Sequence, residues 1–244
     1  MTILHTNDLH GKLDESSAGA IRKLKDDNAL YFDCGDCIKA GNLALPLRQD
    51  PVWGLLEAAG CDAGTLGNRE TQVLQRAFEA KIDGAAHPLL CANLRKKTGE
   101  RPLPGWTVIE KAGLKVGVIG AMVPMVTERM ASRAASAYLW DSPIPAVCAV
   151  AKRLRATVDC LIALTHIGFR QDAELAEACP ELDMVLGAHS HTRLDSPVRF
   201  GNVWVFQTGA HARHVGKYLW SKSKGLVDAE LVPLPSGTAR RARG

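Results

Sequence analysis

Seven short apolar or β-branched runs recur along the chain, each followed by polar residues or glycine: Ile3–Thr6, Ala29–Phe32, Ala63–Leu66, Leu89–Cys91, Lys115–Ile119, Cys160–Leu164 and Met184–Leu186. Several lack polar alternation, which predicts strands buried on both faces. Helix-like stretches lie between them at Ala18–Lys25, Pro51–Ala59, Gln72–Lys81, Ala146–Thr157 and Asp172–Cys179. Such alternation predicts a layered α/β fold. Trp106–Gly120 reads instead as a hairpin about Lys111-Ala112-Gly113, and Val203–Phe206 and Tyr218–Trp220 read as strands with no helix after them. Antiparallel additions to the core are therefore expected.

At 244 residues the chain suits one large domain, and it has no internal repeat or low-complexity linker. Residues 1–244 are expected to form a single domain, with 233–244 a flexible basic tail. The formal charge of +4 comes from 30 basic and 26 acidic residues, and the segment 239–243 alone carries three arginines. The body is close to neutral, and the run Arg95-Lys96-Lys97 reads as a solvated loop, so a nucleic-acid partner is not expected. No apolar run approaches the roughly 20 residues needed to span a bilayer. The amino terminus lacks the basic and apolar regions of a secretory signal, and seven scattered cysteines suit a reducing compartment. A cytoplasmic location is the expectation.

The positions just after these strands are unevenly rich in oxygen and imidazole donors: Asp8-Leu9-His10, Gly35-Asp36, Gly67-Asn68, His166 and His189-Ser190-His191. Sites in α/β sheets assemble at the carboxyl ends of strands, where donors distant in sequence can converge. Singly, each has a plain alternative: a capping turn at Asp8, a loop at Asp36, a turn residue at Asn68, a core histidine at His166. The pair His189 and His191 is the strongest piece, because alternate residues of an extended segment share one side. Cys34-Gly35-Asp36-Cys37 also forms a Cys-x-x-Cys pattern, but no second pair follows it.

Taken in order, Asp-x-His, Gly-Asp, Gly-Asn, a lone His and Gly-x-His-x-His resemble the calcineurin-like metallophosphoesterase superfamily. Ile3-Leu4-His5-Thr6-Asn7-Asp8-Leu9-His10-Gly11 is similar to the opening of its 5′-nucleotidase branch, and Phe206-Gln207-Thr208-Gly209 with Val215-Gly216-Lys217-Tyr218-Leu219 to its closing strands. The resemblance spans nearly the whole chain and implies a four-layer αββα sandwich of two mixed β-sheets flanked by helices. It implies two divalent metal ions, one held by Asp8, His10 and His191, the other by Asn68, His166 and His189, with Asp36 bridging. Mixed nitrogen and oxygen ligands suit Mn2+, Zn2+ or Fe2+. Two such ions can generate a hydroxide nucleophile and neutralise phosphoryl oxygens during in-line displacement. The implied activity is hydrolysis of phosphomonoesters or phosphodiesters, of nucleotides or related small metabolites.

Two departures bear on the chemistry. The family's Gly-Asn-His-Glu segment, with an Asp two residues beyond, runs here as Gly67-Asn68-Arg69-Glu70-Thr71-Gln72. Arg69 replaces the proton-donating His and Gln72 replaces its Asp partner. Arginine stays protonated and cannot release a proton, although it can hold a phosphate oxygen. Arg69 and Asp36 are the expected catalytic residues, and Arg69 and Asn93 the expected substrate contacts. The other departure is that larger members carry a second, base-gripping domain, and weak base discrimination is expected without one. The competing reading is a metal-binding or regulatory protein that kept the ligands after losing the His-Asp pair. His211 and His214 read as a polar loop with the capacity to supply a proton.

Overall fold

The computed structural model describes residues 1–236. In chain order the strands are β1 Thr2–Thr6, β2 Ala29–Asp33, β3 Ala63–Thr65, β4 Leu89–Leu90, β5 Leu94–Lys96, β6 Trp106–Lys111, β7 Leu114–Met122, β8 Tyr138–Trp140, β9 Cys160–His166, β10 Met184–Leu186, β11 Val198–Phe200, β12 Val203–Phe206, β13 His214–Ser221 and β14 Gly225–Pro233. The helices are α1 Glu15–Leu24, α2 Val52–Ala59, α3 Gln75–Ile82, α4 Pro143–Leu154 and α5 Phe169–Ala178. One six-stranded sheet has the order β14-β13-β1-β2-β3-β4 and a second the order β11-β12-β10-β9-β7-β6, while β5 and β8 form a separate ribbon.

Strand alternation builds the layers. Ile3, Leu30 and Phe32 of the first sheet pack with Val118, Ile162, Leu164 and Leu186 of the second, forming the core between the sheets. Their neighbours Leu4 and Tyr31 face outward onto Ile21, Trp53, Leu56 and Phe78 of α1, α2 and α3. On the far side Ile119, Leu161, Ala163 and Val185 meet Val147, Ala151 and Leu175 of α4 and α5. Residues that read as continuous apolar runs are thus split between two apolar interfaces, giving the expected four-layer αββα sandwich of mixed sheets.

Local signals set the element ends. Asp14 caps α1 by accepting from the Ser17 N–H at 2.8 Å, and Pro143 opens α4 three residues before the expected start. Helix α3 begins at Gln75 rather than Gln72, because Glu70 to Gln72 are drawn into the turn at the site. The β6–β7 hairpin forms as expected, with Ala112 and Gly113 both at positive φ. The last strands depart from expectation: β13 is antiparallel to β1, but β12 runs parallel to β10. The reason is β11, which carries the chain back before a tight turn returns it alongside β10. The expected tail also starts too early. Pro233 ends β14, Leu234 is buried with its N–H on Arg213 O, and Ser17 Oγ donates to Pro235 O; residues 237–244 lie outside the described residues.

The two sheets approach closely where β7 meets β4. A Cβ on Gly120 would lie 2.1 Å from the Leu90 carbonyl oxygen, so only glycine fits without moving backbone. Gly120→Ala should therefore cost about 3 kcal/mol as overpacking. Urea unfolding should show a lower midpoint with an unchanged slope; an unchanged midpoint would mean that this contact separates freely.

Candidate metal centre

The residues after β1, β2, β3 and β10, with the last residue of β9, converge at one end of the sandwich. Parallel pairing places them there: β2 beside β1, β3 beside β2 and β10 beside β9. Asp8, His10, Asp36, His189 and His191 all adopt left-handed backbone, with φ between 50° and 78°. Each such conformation costs about 1–3 kcal/mol and persists only where surrounding structure imposes it. His189 and His191 are therefore not on an extended segment, as their spacing predicts; each is aimed by its own strained turn.

Backbone fastenings hold these turns. Asp8 N–H donates to Gly35 O at 3.0 Å and His10 N–H to Asp36 O at 2.8 Å, joining the first two loops. Gly35 and Gly67 bring the second and third together, since a Cβ on Gly35 would stand 2.3 Å from Gly67 N. Glu70, whose place in the Gly-Asn-x-Glu segment is visible in the sequence but whose role is not, closes that junction. Its buried carboxylate accepts the N–H groups of Asp36 at 2.8 Å, Gly67 at 2.8 Å and Ile38 at 3.1 Å. Asn7 and Gln207 do the same for the later loops. Asn7 bonds both Gly209 O and Thr208 N–H, and Gln207 Oε1 accepts from Ser190 Oγ and Thr192 N–H while its amide donates to Asp172.

Inside this frame the facing atoms are mostly acceptors. Asp8 Oδ2 accepts from His189 N–H at 2.9 Å, but Asp8 Oδ1 is buried and has no hydrogen-bond partner. It lies 3.3 Å from His191 Nε2 and 3.7 Å from His10 Nε2, and those two imidazole nitrogens are 2.9 Å apart. His166 Nδ1 donates to Cys34 O at 2.8 Å, which fixes the tautomer and turns the Nε2 lone pair toward Asn68 Oδ1 at 3.2 Å and Asp36 Oδ1 at 3.6 Å. Asn68 Oδ1 is also 3.0 Å from His189 Nδ1, and its amide nitrogen is engaged by Asn42 Oδ1. Asp8, His10 and His191 form one group able to hold a cation; Asp8, Asp36 and His166 form another that shares Asp8. Converging lone pairs around an orphaned carboxylate oxygen fit divalent metal ions.

Burial shapes the charge states. Above all by burial, then by the Arg69 charge, His10 is pushed down to about 4, so its ring is neutral and free to donate a lone pair. Burial also pushes Asp36 up to about 7, against the Arg69 N–H donated to its Oδ1 at 2.7 Å. Arg69 itself is part-exposed: its Nη1 donates to Lys39 O at 3.1 Å and its Nε stands 3.9 Å from Asp36 Oδ2. Gln72 donates to Asn42 O and accepts from Val73 N–H. Below them the buried Lys81, a second residue missed in the sequence, donates to the carbonyls of Gly41, Asn42, Arg69 and Thr71 at 2.7–3.0 Å. A helical Lys looks solvated in sequence; only tertiary structure shows its four partners.

Asn93 is not brought to this cluster as an open contact. It is fully buried, its amide donating to Met122 O and Asp141 O and its oxygen accepting from Met122 N–H, so it pins backbone and has no free polar group for substrate. Cys34 and Cys37 are buried free thiols. His211 does stand at the centre, its ring 5.2 Å from that of His10 and 5.7 Å from that of His191.

No protein-family model matches the chain. Protein UshA of Yersinia enterocolitica is 28% identical over 288 residues, covering 96% of this chain and 52% of that protein. A 5′-nucleotidase of Vibrio cholerae is 31% identical over 226 residues, covering 78% of this chain and 40% of its own length. The chain thus spans about half, or less, of these curated relatives. Among solved structures, a 5′-nucleotidase precursor from Thermus thermophilus superposes with a TM-score of 0.78 over 99% of this chain and 57% of that one, at 19% identity. At that identity the likeness is one of fold.

Because Asp36 holds its proton up to about pH 7, metal uptake there should expel it below that pH. Titration with Mn2+ near pH 6 should release about one more proton per chain from the native protein than from Asp36→Asn, and the difference should vanish near pH 8.5. No difference near pH 6 would assign the released proton to the imidazoles.

Proposed function

We propose, for a chain that belongs to the calcineurin-like metallophosphoesterase superfamily as a 5′-nucleotidase-like domain, that it hydrolyses small phosphoesters with two divalent ions. The observation that carries this reading is the buried Asp8 Oδ1, which has no donor and faces imidazole nitrogens. Asp8, His10 and His191 would hold one ion, Asn68, His166 and His189 the other, and Asp36 would bridge. Mn2+, Zn2+ or Fe2+ suits this mixture of nitrogen and oxygen. Bound there, the ions supply Lewis acidity toward phosphoryl oxygens and a water acidic enough to attack near neutral pH. Nucleotides are the proposed substrates, supported by the names of the relatives. Those names also favour a hydrolase over a binding protein that merely kept its ligands. The proposed location is the cytoplasm, supported by the odd number of cysteines.

The chain's own groups then divide the work. His166 is oriented by Cys34 O, and His189 and Asp8 orient each other through the His189 N–H. Arg69 keeps guanidinium N–H groups beyond the one bonded to Lys39 O, and these can take a phosphate oxygen and stabilise its developing charge. It cannot give a proton to a departing alkoxide.

Two measurements test this. Metal analysis with an activity panel of mono- and dinucleotides and an aryl phosphate should find two ions per chain and Mn2+-dependent turnover, and Asp36→Asn should lower both loading and rate. A single ion in fully loaded protein, or no turnover of any ester with any metal, would sink the reading. Secondly, turnover should depend steeply on leaving-group acidity, with aryl phosphates and phosphoanhydrides cleaved far better than alkyl esters. Arg69→His combined with Gln72→Asp should flatten that slope by restoring general-acid help of about 10²–10⁴-fold for poor leaving groups. Equal slopes would show that the proton comes from elsewhere or that chemistry is not limiting.

A further inference from the structure

Asn68 is the one neutral amide among the candidate ligands. Its side chain has an oxygen at one end and an NH2 group at the other, and only the oxygen can face a cation. The neighbouring ring does not favour that end. His166 Nδ1 donates to Cys34 O, so its Nε2, 3.2 Å from Asn68 Oδ1, presents a lone pair that would accept from the NH2 group. The partner that holds the amide the other way is Asn42, whose Oδ1 accepts from Asn68 Nδ2 at 2.9 Å. Turning the Asn68 amide over would set two acceptor oxygens against each other.

Asn42 is exposed and lies between β2 and α2, outside any helix or strand. Its place is set by the buried Lys81. That single ammonium donates to Gly41 O at 3.0 Å and Asn42 O at 2.9 Å on one side, and to Arg69 O at 2.7 Å and Thr71 O at 3.0 Å on the other. Gln72 adds a bond to Asn42 O at 3.4 Å. The segment carrying Asn42 and the turn carrying Asn68 are therefore fastened to one atom, and the contact between the two amides follows from that registration.

We infer that Asn42 is a positioning residue for the metal centre, selecting the oxygen end of Asn68 as ligand for the ion that His166 and His189 would share. The inference rests on the two-metal phosphoesterase reading and adds to it a residue that acts through a ligand rather than on the ion. It makes the effect one-sided. Loss of the acceptor at position 42 loosens the ion that Asn68 would hold and spares the one assigned to Asp8, His10 and His191.

The test is a titration of metal-free protein with Mn2+, the free ion being counted by electron paramagnetic resonance to give the two dissociation constants. Asn42→Leu, which keeps the volume and removes the acceptor, should raise one constant about 10- to 100-fold and leave the other within about twofold. Asn42→Asp, which keeps an acceptor oxygen, should bind both ions at least as tightly as the native protein. In an Asn68→Ala background, adding Asn42→Leu should change neither constant, because the side chain through which Asn42 acts is gone. Urea unfolding of metal-free Asn42→Leu should keep the native midpoint, as expected at an exposed position. Equal weakening of both ions, loss of binding in Asn42→Asp, or a further loss on top of Asn68→Ala would overturn the inference. Native protein that takes up fewer than two ions would sink the two-metal reading itself, whereas two ions in the native protein with unchanged constants in Asn42→Leu would sink this inference alone.

Discussion

The Asp8 carboxylate is buried with one oxygen satisfied by the His189 N–H and the other left facing imidazole nitrogens. A half-satisfied buried carboxylate is costly, and imidazole nitrogens crowd within about 3 Å of each other and of the Asn68 oxygen beside it. Cations relieve both at once. Everything around the cluster works to keep those atoms from turning away when the cations are absent. Five candidate ligands sit in left-handed backbone, and three buried side chains, Glu70, Asn7 and Gln207, spend their hydrogen bonds on the loops rather than on the site. The strain in the ligand turns and the saturation of their supports are two sides of the same preorganisation.

Arg69, Gln72 and Lys81 introduce a second theme. All three donate to carbonyls between Lys39 and Asn42, so the segment that occupies the place of a proton donor is instead tied to a neighbouring loop. A fixed positive charge beside Asp36 favours binding of anionic phosphate but leaves the departing group unassisted. Chemistry under that constraint favours leaving groups that are already stable anions. This bias arises from residues around the ligands, not from the ligands themselves.

Strand positions, the β6–β7 hairpin and the layered class were legible in the sequence, because a strand buried between a sheet and a helix needs apolar residues on both faces. The candidate ligands were legible for a related reason: polar residues immediately after such strands stand out against an apolar background. Edge strands β11 and β14 were not, their residues being half-buried or exposed and without a continuous apolar run. The parallel pairing of β12 was not either, since pairing direction depends on where the chain travels through β11.

By itself, then, the sequence determined the order of most elements and which donor side chains follow the strands, since these follow from local composition and its spacing, while the class of chemistry was implied by its resemblance to a known family. Tertiary structure alone decided the rest. It gave Glu70 three backbone donors and Lys81 four carbonyls, turned Asn93 from a substrate contact into a buried pin, and set His211 and Arg213 beside His191. Those outcomes depend on atoms that are distant in sequence and adjacent only after the two sheets pack. Hydrogen bonds and electrostatic fields act over a few ångströms of space, and no local pattern encodes which remote groups will fall within that range.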